Sequence, residues 1–223
     1  MPSSPASPLA PRAGETLLTG WGRTAPSTAT VERVTSVADV QEAVAKATSR
    51  GLLARGLGRS YGDAAQSGGA TVLDLAALAQ IDLDREAGTV TVGAGVSLDA
   101  LLKVIVPQGF FVPVTPGTRM VTVGGAIAAD VHGKNHHVEG TFGSHVSSLT
   151  LIDGRGAEHR LGPEQEPEAF WATVGGMGLT GVMTEATFDL IPISSSLVSV
   201  DTDRTADLDD LMSRMLTGDD AYR

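Results

Sequence analysis

The sequence predicts one globular domain that mixes helices with strands, and three observations carry that expectation. Its 223 residues can bury one core, or one core split into two small lobes. Hydrophobic residues at 42% and charged residues at 19% are globular values, and no apolar run reaches bilayer-spanning length. From the first helix onward the local patterns read helix, strand, loop, strand, strand, helix.

Each element has its own warrant. Residues Ala38 to Ala47 carry apolar side chains at helical spacing, and Ser36 with Asp39 has the form of a capping box ahead of them. Leu52-Leu53-Ala54 is a short apolar strand. It runs into Arg55-Gly56-Leu57-Gly58-Arg59-Ser60-Tyr61-Gly62-Asp63, where glycines at 56, 58 and 62 forbid regular structure. Thr71 to Leu75 and Thr89 to Gly93 read as strands, and Ser97 caps a helix from Leu98 to about Val106. After the turn-rich connector Val112 to Thr118, the small residues of Thr122 to Asp130 suit a helix. Its N-terminus would present free N–H groups to a ligand. His145 to Ile152 and Ala157 to Leu161 form a hairpin about Asp153-Gly154-Arg155-Gly156. Glu168 to Thr173 is helical, and Val182 to Ile191 is a long strand ending near Pro192. Ala206 to Leu216 puts Leu208, Leu211, Met212, Met215 and Leu216 on one helical face that calls for a partner. The Ser-, Pro- and Ala-rich residues from Met1 to Arg12 read as a disordered lead with no export signal.

Charge and composition exclude several functions. A formal charge of −10 disfavours nucleic acid as a partner, because phosphate backbones are bound by clustered Lys and Arg. It leaves room for one anionic cofactor, since backbone N–H groups hold phosphate whatever the net charge. With no cysteine there is no disulfide, thiolate nucleophile or Cys-based metal site. No G-x-S-x-G elbow marks a serine hydrolase, and the Gly133-Lys134 pair is followed by Asn135 rather than the Ser or Thr of a P-loop.

Gly176-x-Gly178-x-x-Gly181 spells the dinucleotide fingerprint, but that motif follows a strand and opens a helix. Here a helix precedes it and a strand follows, which rejects a Rossmann site. Any one of the glycine-rich loops serves as ordinary punctuation. Three of them, around Gly56 to Gly62, Gly117 to Gly125 and Gly175 to Gly178, suit an extended phosphate-bearing ligand lying across several backbone turns. His132-Gly133-Lys134-Asn135-His136-His137 raises the question of metal. His132 and His136 have i, i+4 spacing, but Gly133 and Asn135 weaken a helix there and the HExxH glutamate is absent. No metal is expected. The cluster reads as polar contacts around a ligand, with His132 and Lys134 able to donate to oxygen, and a solvated loop is the plainer alternative.

Several of these segments together carry a resemblance. Ala54 to Asp63, Pro116-Gly117-Thr118-Arg119, Thr122-Val123-Gly124-Gly125-Ala126-Ile127, the 132–137 segment and Phe170-Trp171-Ala172-Thr173-Val174-Gly175-Gly176 resemble the decaprenylphosphoryl-β-D-ribose 2-oxidase family, and Leu18 to Thr24 also fits. The match runs from about Leu18 to the end of the sequence. It implies an α+β fold, the vanillyl-alcohol-oxidase or PCMH-type FAD-binding domain with two sub-lobes. Residues 1–17 would be the lead, 18–195 the FAD domain, and 196–223 the start of a linker. The resemblance further implies that the family's substrate domain, with the lysine assigned to catalysis, would follow in a carboxyl half beyond these residues.

By the same match, Ala54, Arg55, Gly56, Leu57, Gly58, Arg59, Ser60, Tyr61, Gly62, Asp63 and Ala64 would wrap the pyrophosphate and ribityl part of FAD. Gly117 with Thr122, Val123, Gly124 and Gly125 would line the dinucleotide. His132, Gly133, Lys134 and Asn135 would lie near the isoalloxazine, and Met183 would give an apolar contact. Arg59 stands where many relatives carry the histidine that attaches FAD, so the resemblance implies noncovalent FAD. The implied reaction oxidises the ribose 2-hydroxyl of a polyprenyl-phosphate sugar in cell-wall arabinan precursor synthesis. Tyr61, His132 and Lys134 are the polar candidates for catalysis. A 2-keto reductase would be the partner enzyme, a quinone-type molecule the electron acceptor, and the cell envelope the location, with the cytoplasm as alternative. A noncatalytic FAD-binding fragment and an alditol- or lactone-type oxidase on the same fold are the competing readings.

Overall fold

A computed structural model describes residues 11–218. In chain order it contains β1 (Glu15–Leu18), β2 (Ser27–Arg33), α1 (Val37–Ala45), β3 (Leu52–Arg55), β4 (Thr71–Asp74), β5 (Ile81–Asp84) and β6 (Thr89–Gly93). There follow α2 (Leu98–Ile105), β7 (Phe110–Phe111), α3 (Val123–Ala128), α4 (His136–Glu139), β8 (Val146–Ile152) and β9 (Glu158–Leu161). The chain continues through α5 (Pro167–Thr173), β10 (Val182–Asp189), β11 (Ile191–Pro192) and α6 (Leu208–Gly218). The fold is α+β.

The strands divide into two principal sheets, which are the two sub-lobes. The smaller has the order β1-β2-β4-β3, with β2 and β3 both parallel to β4 and β1 antiparallel to β2. Helix α1 makes the crossover from β2 to β3. Its capping box is complete: Ser36 accepts from the Asp39 N–H while the Asp39 carboxylate accepts from the Ser36 N–H. The larger sheet is antiparallel, in the order β5-β6-β10-β8-β9. The β8–β9 turn closes where Asp153 accepts from the N–H groups of Arg155 and Ala157, with Gly156 at φ 81°.

Most of the core lies under the larger sheet. Val90 and Val92 of β6, Phe188 of β10 and Leu149 of β8 pack with Leu98, Leu101 and Ile105 from one face of α2. Phe142 meets Phe188 at a ring separation of 5.1 Å. Each such side chain contributes about 1.5–3 kcal/mol by leaving water, so this cluster anchors everything built on it. Strand β10 carries an irregularity between Met183 and Glu185, and Val182, Met183 and Thr184 are consecutively buried instead of alternating.

Several strands lie outside the sequence reading. β1 and β2 bury only Leu18 and Ala29, so they show little apolar alternation, and β5 interleaves its apolar residues with aspartates. β7 and β11 are two residues each. Strand β1 begins at Glu15, inside the 1–17 stretch read as lead; residues 1–10 of that lead lie outside the described residues. The segment 196–218 ends in α6, whose Leu208, Leu211, Met212, Met215 and Leu216 are all exposed.

Candidate functional site

A cleft of about 670 Å³ opens where the two sheets meet. The end of β3 and the loop after it form one wall, the connector from Pro116 to Thr122 and the flank of α3 another, and Met177, Gly178, Gly181 and Met183 the third.

The loop after β3 is the most unusual wall. Among the described residues, none of the backbone N–H groups from Leu57 to Ala64 donates to a protein acceptor. Eight successive N–H groups without a protein partner make a surface suited to anionic oxygen. The loop nevertheless has a fixed shape. Arg55 lies beneath it, donating from Nη1 to the Ala65 carbonyl at 2.6 Å and from Nη2 to the Thr19 carbonyl at 2.8 Å. Burial lowers the affinity of this guanidinium for its proton, Asp74 nearby raises it, and Arg59 lowers it. Gly58, at φ 62°, passes so close over Arg55 that a Cβ there would stand 2.2 Å from Nη2. Arg59 turns back to donate to the Leu57 carbonyl at 2.7 Å.

Helix α3 corrects an expectation. Thr122 caps it, accepting from the Gly125 N–H, and the Ala126 N–H is bonded to the Thr122 carbonyl. The Val123 N–H donates to Val96 at 2.8 Å and the Gly124 N–H to Ala94 at 2.9 Å. No free N–H remains in the first turn, because the helix start is docked on the strand-to-helix connection after β6. The glycines serve that docking: a Cβ on Gly124 would lie 2.9 Å from the Ala94 Cβ, and one on Gly56 would lie 2.3 Å from Thr122 Oγ1.

Gly117 differs from both. It lines the cleft, its φ lies outside the left-handed region, and a Cβ there would meet no protein atom within 4 Å. Neither backbone conformation nor protein packing requires glycine at this position, so what its missing side chain leaves free is space in the cleft.

The residues named from the sequence separate accordingly. Ala54 to Tyr61, Ala64, Gly117, Thr122, Gly124, Gly125 and Met183 line the cleft. Gly62 and Asp63 of the loop do not, and Val123 is buried in the core. His132, Gly133, Lys134 and Asn135 also stand outside the lining, on the segment that follows Val131. Asn135 ties that segment down by donating to the Pro113 carbonyl at 3.0 Å. Of the three catalytic candidates, Tyr61 is in the wall and 80% exposed, whereas His132 and Lys134 are exposed beyond it. His132 and His136 approach edge to face at 5.5 Å. Among the described residues no group of three or more His, Cys, Asp or Glu side chains is placed to hold a metal ion.

The cleft also recruits Trp21, Leu75, Ala94, Met120 and Met177, none of which was singled out as a cofactor contact. Trp21 lay within a segment carrying the resemblance, and only the fold brings it to the loop. The rejected fingerprint supplies Gly178 and Gly181. As expected, a helix precedes it and a strand follows. Met177 there adopts φ 55°, a conformation uncommon for a residue with a side chain, and its N–H is bonded to the Ala128 carbonyl at 2.8 Å.

Comparison with known proteins agrees with this geometry. The chain is 47% identical over 209 residues to decaprenylphosphoryl-β-D-ribose oxidase of Mycolicibacterium smegmatis, covering 92% of this chain and 45% of the relative. It is 30% identical over 180 residues to alditol oxidase of a Streptomyces species, covering 79% of this chain and 42% of that protein. The chain therefore spans less than half the length of these relatives. The crystal structure of 6-hydroxy-D-nicotine oxidase from Arthrobacter nicotinovorans superposes with a TM-score of 0.67 at 25% identity, over 74% of this chain and 37% of that one. Residues 28–162, which include all but the first residue of β2, β3 to β9 and most of the cleft, match the FAD binding domain family, and the chain belongs to that family.

Proposed function

We propose that the chain is the FAD-holding part of an oxidoreductase that oxidises the ribose 2-hydroxyl of a polyprenyl-phosphate sugar to the 2-keto compound. The observation that carries this reading is the cleft itself. It brings together a loop of unengaged N–H groups and Gly117, where a side chain would meet no protein atom within 4 Å. FAD fits that arrangement: the loop from Leu57 to Ala64 would hold its diphosphate, and Met183 and the α3 flank would give apolar contact. The choice of sugar follows the 47% identity to the ribose oxidase.

When bound, FAD supplies the electron-pair acceptor for alcohol oxidation. This chain's residues bind, orient and exclude water. Tyr61, in the cleft wall and largely exposed, would orient the substrate through its hydroxyl, and His132 and Lys134 would offer polar contacts from the adjoining segment. A base must take the hydroxyl proton, and the chain's own candidates for that are these three. We take FAD to be noncovalent. Arg59, at the position where the resemblance implies attachment in other members, donates to the Leu57 carbonyl, and a guanidinium is no nucleophile. A 2-keto reductase to consume the product, a quinone-type electron acceptor and work at the cell envelope complete the proposal. Among the described residues no helix is long and apolar enough to cross a membrane.

Acid precipitation of the purified, FAD-loaded protein tests attachment: free FAD in the supernatant supports the proposal, and flavin in the pellet contradicts it. Anaerobic bleaching tests the substrate. Loss of flavin colour with polyprenyl-phosphoryl ribose but not with free alditols supports the ribose reading. The reverse favours an alditol oxidase, the reading supported by the 30% identity to that enzyme. Bleaching by neither, with FAD retained, leaves a binding module.

A further inference from the structure

We propose that the segment Thr19–Arg23 is a strap that sets the orientation of the cofactor loop, with Trp21 as its positioning residue for FAD retention. The inference rests on the reading of the cleft as the FAD site.

The strap lies along the loop by backbone hydrogen bonds. The Trp21 N–H donates to the Ser60 carbonyl at 2.7 Å and the Gly22 N–H to the Tyr61 carbonyl at 3.2 Å. The fit leaves no room for side chains: a Cβ on Gly20 would stand 2.0 Å from the Gly62 oxygen, and one on Gly22 would stand 2.4 Å from the Tyr61 oxygen. Arg55 joins the strap to the far end of the loop, because one guanidinium binds both Thr19 and Ala65.

Peptide planarity gives this contact a direction. Among the described residues every peptide bond is trans, so the C=O and N–H of one peptide unit point opposite ways. With the carbonyls of Ser60 and Tyr61 drawn to the strap, the N–H groups of Tyr61 and Gly62 point away from it. These are two of the unengaged donors. Without the strap the same peptides could rotate and present oxygen instead, which repels phosphate.

Trp21 fastens the strap. It is 59% exposed, yet it lines the cleft and lies under the Arg59 guanidinium at 5.4 Å, while Arg59 binds the Leu57 carbonyl. The indole therefore holds the loop through Arg59.

The test uses Trp171→Phe as parent, leaving Trp21 as the single tryptophan, since the chain has two. FAD binding is followed by quenching of Trp21 emission and by flavin fluorescence. Bound FAD is expected to quench Trp21 in the parent. Trp21→Ala in the same background is expected to weaken FAD binding about fivefold, the scale of an exposed cation–π contact, while Trp21→Phe restores most of it. Gly20→Ala should weaken binding at least ~10-fold by forcing the strap off the Gly62 carbonyl. The thermal midpoint of the cofactor-free protein is expected to be unchanged by Trp21→Ala, separating positioning from stability. Equal FAD affinity in the parent and Trp21→Ala overturns the strap and leaves the cleft reading intact, and so does a full loss that Trp21→Phe fails to rescue. Absence of FAD binding by the parent overturns the cleft reading and the strap with it.

Discussion

The loop from Leu57 to Ala64 and the first turn of α3 are both glycine-rich, both face the cleft and both suggest a phosphate site by composition, yet they use their backbones in opposite ways. The α3 turn spends its N–H groups on Val96, Ala94 and Thr122, so its glycines permit close packing. The loop spends none of these N–H groups on the protein and is shaped instead by Arg55 and the Thr19–Arg23 segment. A glycine-rich sequence thus marks close backbone approach, and only the hydrogen-bond pattern says whether a ligand or another protein segment approaches.

Substitutions on either side can break that contrast. Filling the ligand space has the largest expected effect: Gly117→Leu should weaken FAD binding at least ~100-fold with the thermal midpoint of the cofactor-free protein unchanged, measured by flavin titration and calorimetry. On the packing side, Gly124→Ala should cost about 1–3 kcal/mol in urea unfolding by pressing on Ala94, and Ala94→Gly should recover part of that loss. A smaller effect comes from Ser97, whose hydroxyl caps α2 by accepting from the Ala100 N–H; Ser97→Ala should lower stability by about 1 kcal/mol. The smallest is a pH effect remote from the cleft. The Thr35 N–H first, then the Thr35 and Ser36 hydroxyls, hold the Asp39 carboxyl below its ordinary value. A depressed carboxyl stabilises the fold above its unfolded value near ~3.9 and loses that contribution as pH falls through the folded one. Asp39→Asn should therefore lower the thermal midpoint at neutral pH and converge with the wild type in acid.

Much of this architecture was legible because local chemistry and tertiary packing agree. Ser36 with Asp39, Ser97 before α2 and the Asp153 turn each state an element boundary in side-chain hydrogen bonds that the fold then makes. β1 and β2 were not legible, because their register comes from neighbouring strands and few of their side chains are buried. In the site, the resemblance singles out the loop after β3 and Gly117, and most of that loop together with Gly117 lines the cleft. That the first turn of α3 keeps no free N–H was not legible, because its acceptors Ala94 and Val96 come from another segment of the chain. For the same reason Trp21 is not legible as a cleft residue, being brought in only where the 19–23 segment pairs with residues 60 and 61.

The most direct test of the loop as the diphosphate holder is an amide NMR titration of isotope-labelled protein with FAD. The account predicts the largest shifts at Leu57 to Ala64, with the amides of Val123 to Ala126 moving little because their hydrogen bonds are already made. Largest shifts at Val123 to Ala126, with the loop amides unmoved, would contradict it.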